Sequence, residues 1–105
     1  MIARIWHGYT SKANAEAYEQ LVTSKVFKEI EAKTGDGFKG VQMLKRETGE
    51  EVEFTTMIWF SDLETIKKLT GNDHETAYVP AEAKKLLSRF DEKVTHSHLV
   101  YSTKG

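Results

Sequence analysis

The chain contains no cysteine. Disulfides, thiolate metal sites and cysteine nucleophiles are therefore excluded, and the composition suits a reducing compartment; a cytoplasmic protein is expected. Only one proline, Pro80, interrupts the backbone. No apolar run approaches the ~20 residues of a membrane span, and MIARIWHGY lacks the basic and then apolar regions of a signal peptide. No charge of one sign dominates: 15 basic against 16 acidic residues give a net −1, without the electrostatic footprint of a nucleic-acid binder or a basic membrane anchor. The P-loop, dinucleotide-binding, HExxH and GxSxG patterns are also missing. What remains is a 105-residue chain, one domain spanning 1–105, with enough aromatics (2 Trp, 4 Tyr, 5 Phe) to fill a core, a pocket or an interface.

The pattern along the chain is α+β. Ile2–Tyr9 reads as a strand with Ala3, Ile5, His7 and Tyr9 on one face and Ile2, Arg4 and Trp6 on the other. From about Lys12 to Lys33, Tyr18, Leu21, Val22, Val26 and Ile30 form a helical stripe, stopped by Gly35-Asp36-Gly37. Phe38–Lys45 and Glu51–Phe60 are strands joined by a turn at Arg46–Glu50. A helix follows over Asp62–Thr70, with Ser61 and Glu64 as an expected capping box and Gly71 as its stop. Asn72–Val79 is irregular. Pro80 to about Phe90 is expected as a third helix with Leu86, Leu87 and Phe90 on its apolar side, and Val94–Ser102 as the last strand, before a Thr103–Gly105 tail. This order predicts a ferredoxin-like split βαβ fold with a four-stranded antiparallel sheet. One sheet face takes the helices. Trp6, Met57 and Trp59 are expected on the other, where a second copy of the chain would cover them in a homodimer.

MIARIWHG, IWFSDLETIKKLTG and HETAYVPAEAKKLLSRFDEKVTH resemble the antibiotic biosynthesis monooxygenase domain family, over residues 2–101. The resemblance implies a dimeric α+β barrel with a pocket between sheet and helices in each subunit. Activities known in that family include cofactor-free oxygenation of polycyclic aromatic phenols and oxidative haem breakdown, and many of the members most like this chain have no assigned reaction. The Asn/Trp/His set of the haem degraders does not map cleanly, since His7 lies near where the Asn would fall and His74 only loosely near the haem-ligand region.

Among individual residues, His74 is a candidate general base or axial haem ligand, because loops carry function on a rigid scaffold. Its alternative is a solvated loop histidine beside Asp73 and Glu75. Tyr78 is a candidate for orienting a phenolic substrate or donating a proton, against plain packing of its loop. His96 and His98 share a strand face and are expected to meet His7 across the first strand; three imidazoles can bind a metal, yet no carboxylate is placed to complete such a site and none is expected. Trp59 and Trp6 could stack on a planar aromatic ligand or anchor the core or dimer, and Arg89 could hold an anion at the pocket mouth or be a solvated helix residue. Arg4, on an apolar strand, needs a carboxylate or an edge, since an unpaired buried charge is costly. His74, Tyr78 and His7 are thus the catalytic candidates, and Trp59, Arg89 and His96 the substrate-binding ones. The functional expectation is a small oxygenase acting on an aromatic or quinol-like ligand without a cofactor. The alternatives are a haem-degrading enzyme and a non-enzymatic dimeric ligand-binding or stress-related protein.

Overall fold

The computed structural model describes residues 1–103. Strand β1 (Ile2–Ser11) leads into helix α1 (Lys12–Leu21), a π-helical turn (Val22–Val26) and helix α2 (Phe27–Thr34). Strands β2 (Phe38–Thr48) and β3 (Glu51–Phe60) form a hairpin, followed by helix α3 (Leu63–Thr70), a short helix α4 (Ala81–Lys84), and strands β4 (Leu87–Phe90) and β5 (Thr95–His98). The antiparallel sheet runs β2-β3-β1, and β4 and β5 share the remaining edge of β1. This is the expected ferredoxin-like order, with its fourth position split between two short strands.

Strand alternation settles which side chains meet the helices. Along β3, Val52, Phe54, Thr56, Ile58 and Phe60 are buried, while the residues between them are partly exposed. The helix stripe of Tyr18, Val22, Val26 and Ile30 packs on that face, with Ile66 and Leu69 of α3. Tyr18 meets Phe54 at 4.9 Å between ring centroids and Phe38 meets Phe60 at 6.1 Å, separations typical of tilted and edge-to-face pairs.

Four local expectations are corrected. The cap of α3 is Asp62, not a Ser61–Glu64 box: Asp62 Oδ1 accepts the Thr65 N–H at 2.9 Å and the Thr65 hydroxyl at 2.8 Å. The first helix is not uniform, because its central turn widens so that the Phe27 N–H reaches the Val22 carbonyl, five residues back. The helix begun after Pro80 stops at Lys84, since β1 offers an open edge at Gly8–Thr10 that Leu87–Phe90 fills as β4. Leu86, Leu87 and Phe90 satisfy a helical spacing by coincidence. The last strand ends at His98 rather than Ser102, since β1 begins at Ile2 and only the Leu99 N–H to Met1 carbonyl bond lies beyond.

The sheet faces also need one correction. Trp6 pairs across to Thr56 and lies on the helix side, whereas Met57 and Trp59 lie on the outer side. Gly8 makes room for it: a Cβ there would stand 2.6 Å from the Trp6 ring and 3.1 Å from Leu87.

Candidate ligand pocket

Between sheet and helices lies a cavity of about 50 Å³, partly open to solvent. Val22 and Val26 from the π-turn, with Phe27 and Ile30, form one wall. The opposite wall is sheet: Arg4 and Trp6 from β1, Thr56 and Ile58 from β3. Tyr78, Val79 and Pro80, in a stretch without regular structure, close the third side with Ala83. The lining is predominantly aliphatic and aromatic, the usual character of a small-molecule site. The π-turn matters here, because such turns recur at functional sites. It places both valines toward the sheet, while the Thr23 and Ser24 hydroxyls turn back to the Glu19 and Gln20 carbonyls at 2.7 and 2.6 Å.

Few polar groups meet this space. Tyr18 is 2 % exposed, and desolvation raises its phenol pKa, so the ring stays neutral. Tyr78 is steadied by Lys33, whose ammonium lies 3.2 Å from the phenol oxygen and 5.0 Å from the ring centroid. Arg4 is the exception in kind, a cation only 4 % exposed. It donates from Nη1 to the His74 carbonyl at 2.6 Å and from Nη2 to the Thr76 carbonyl at 2.8 Å. Its Nη1 also lies 3.0 Å from His96 Nε2. Arginine cannot accept, so that imidazole nitrogen accepts and the ring is neutral. Burial pulls the Arg4 pKa down to about 10, and the guanidinium remains charged at neutral pH. The expected carboxylate partner is not there: Arg4 forms no ion pair among the described residues, and carbonyl dipoles and one imidazole take its place.

The expected histidine cluster divides. His74 and His96 come together at 5.7 Å between ring centroids, and with His98 they border an adjoining open cleft beside Ile2 and Leu63. His96 is pulled below the ordinary histidine pKa by burial, then by Arg4 and His74. His7 does not join them. β5 pairs with the start of β1, placing His96 opposite Arg4 and His98 opposite Ile2. His7 faces outward and meets Asp91 at 3.2 Å.

Two further candidates lie away from the cavity. Trp59, an odd position of β3, faces outward and donates its indole N–H to Gln42 at 3.0 Å. Arg89 sits on β4 rather than a helix; its guanidinium lies 3.7 Å over the Tyr9 ring and makes a forked pair with Glu51, with contacts between 3.0 and 3.3 Å. Of the six candidates Tyr78 alone lines the cavity, with His74 and His96 reaching it only through Arg4. Sequence reasoning missed Arg4, Tyr18 and the two valines as lining, whereas Trp6, considered for stacking on a planar ligand, does line it. The available signal was a single arginine on an otherwise apolar strand.

No protein-family model matches the chain, and no curated protein matches it in sequence. Solved structures do match in shape. A candidate antibiotic biosynthesis monooxygenase from Bacillus cereus superposes with a TM-score of 0.61 over 97 % of both chains, at 10 % identity. The haem-degrader MhuD from Mycobacterium tuberculosis, with two haems in its active site, superposes at 0.56 over 99 % of this chain and 100 % of that one, at 15 % identity. The chain shares their fold. At these identities the likeness concerns architecture, and chemistry rests on the site.

Haem fits the pocket poorly. His74 has a suitable ring, with Nδ1 3.3 Å from the Asn72 carbonyl and Nε2 without a partner among the described residues, but it borders the neighbouring cleft rather than the cavity. The cavity volume of about 50 Å³ would have to grow far more for a haem than for a single aromatic ring.

Proposed function

We propose that this chain is a small oxygenase of the antibiotic biosynthesis monooxygenase type. It would take a small aromatic or quinol-like molecule between sheet and helices and need no resident cofactor. The observation that carries this reading is the apolar, aromatic cavity of Trp6, Tyr18, Phe27 and Tyr78, found in a chain with the fold of such proteins. An electron-rich phenol that has lost its proton can itself reduce oxygen. One oxygen atom then enters a ring carbon as a quinone carbonyl and the other leaves as water with that carbon's hydrogen and the phenol's proton, so no external reductant is needed. The protein's part is to desolvate and orient the ring. Tyr78, held by Lys33, is suited to orienting a substrate hydroxyl. A ring enters only if the Tyr78–Pro80 wall yields, as the resting volume suits one or two waters rather than a ring.

The outer sheet face carries Ile5, Met57 and Trp59 beside Leu44, which is 56 % exposed. Such a face supports a homodimer in which two sheets pack together, bringing His7, Trp59 and Arg89 to the interface rather than to the pocket.

Oxygen uptake with a panel of dihydroxy-aromatic substrates tests the enzyme reading. Uptake above background, reduced in Tyr78→Phe, is expected. Ligand binding without uptake across the panel would instead favour a non-enzymatic binding protein. A haemin-induced Soret shift lost in His74→Ala would favour the haem reading.

A further inference from the structure

Among the described residues Arg4 has no carboxylate partner, although it is almost fully buried. A charge in that position normally has one, because carbonyl dipoles alone compensate a desolvated cation incompletely. Its five N–H donors are also unequally used. The His74 carbonyl and His96 Nε2 take those of Nη1, and the Thr76 carbonyl takes one from Nη2. The Nε–H and the second Nη2–H have no acceptor among the described residues. These three contacts hold the guanidinium from the side of the 74–76 loop and β5, while Arg4 itself forms part of the cavity wall. Elsewhere that wall is apolar apart from the hydroxyls of Tyr18, Thr56 and Tyr78. The result is one fixed positive charge on the wall of a largely apolar pocket.

We propose that Arg4 holds an anionic oxygen of the ligand, so that the pocket selects flat apolar acids or phenolates over neutral aromatics of the same size. This rests on the reading of the cavity as the ligand site. It adds the ligand's charge and the residue that recognises it. A guanidinium fork pairs with two oxygens of a carboxylate or caps one phenolate oxygen, and the low local dielectric strengthens either pairing. For the oxygenase chemistry the consequence is direct: stabilising the phenolate raises the fraction of bound substrate in the form that reacts with oxygen. Arg4 then acts as an electrostatic holder and not as the base.

The test is an amide and Arg Nε–H NMR titration of the full chain with three ring compounds: benzoate, 4-nitrophenol and neutral benzyl alcohol. The expected result is at least ten-fold tighter binding of benzoate or of the nitrophenolate than of benzyl alcohol, with shifts at the Arg4 Nε–H and at Tyr78, Val79 and Val94. If only one anion binds tightly, it identifies the source as carboxylate or phenolate, and either supports the proposal. Bound 4-nitrophenol should turn yellow at a lower pH than the free phenol. Arg4→Met should bring the favoured anion down to the affinity of benzyl alcohol, and Arg4→Lys should fall between. Equal binding of anion and neutral compound by the unaltered protein overturns the proposal and leaves Arg4 a strut between β1 and the 74–76 loop, while the pocket reading stands. Binding of none of the three overturns both. The comparison within the unaltered protein decides the matter even if Arg4→Met fails to fold.

Discussion

Arg4, Gly8 and His96 show how single residues set the pocket. Replacing Arg4 by Met leaves the His74 and Thr76 carbonyls without their donor, and a loss of about 1–3 kcal/mol is expected from unsatisfied buried acceptors, read by denaturant unfolding. Gly8→Ala should cost a comparable ~1–3 kcal/mol through overpacking. The Trp6 indole cannot withdraw easily, because its N–H is held by the Asp91 carbonyl at 2.6 Å. In a Trp59→Phe background, tryptophan fluorescence would report the displacement of Trp6. For His96 the folded-state pKa lies below the unfolded one, so the unfolded chain binds more protons in that interval. Its contribution to stability is complete above the unfolded value of ~6.5 and is lost as pH falls toward the lower, folded value. The decline in stability from neutral into mildly acid pH should therefore be shallower in His96→Asn than in the parent. Of these three residues, Arg4 alone was visible in advance as an anomaly. What the sequence could not supply was its partner, because the carbonyls of His74 and Thr76 reach it across some 70 positions of chain.

At the scale of elements, periodicity was informative where one face alone is buried and misleading where an edge decides. The strand at Glu51–Phe60 and the stripe of Tyr18, Val22, Val26 and Ile30 both reappear in the packed core. The stretch after Pro80 does not follow its helical spacing, because pairing to the free edge of β1 outweighs it, and no local pattern reports a distant edge. The widened turn at Val22–Val26 was equally illegible, as it preserves the apolar stripe while changing the hydrogen-bond ladder. The cap of α3 gives a direct check. Asp62→Ala should cost about 1 kcal/mol, whereas Ser61→Ala, whose hydroxyl only meets that of Thr65 at 3.2 Å, should cost less in thermal unfolding.

For the whole molecule, the order of strands and helices was enough to anticipate the ferredoxin-like sheet, and the solved structures of like shape agree with it. Which residues enter the pocket was harder to foresee, since one strand step separates Trp6 on the inner face from His7 on the outer. The outer face yields its own prediction: the protein should sediment as a dimer and Trp59→Glu as a monomer, whereas an unchanged mass would place any interface elsewhere. The inner face bears the central claim, that a small aromatic ligand is bound and oxidised between sheet and helices. The most direct measurement is oxygen uptake with the best substrate of a dihydroxy-aromatic panel, comparing the parent with Ala83→Leu, which fills the cavity from α4. The account predicts uptake by the parent and at least a ten-fold loss in the folded, filled variant; uptake that survives the filling would contradict it.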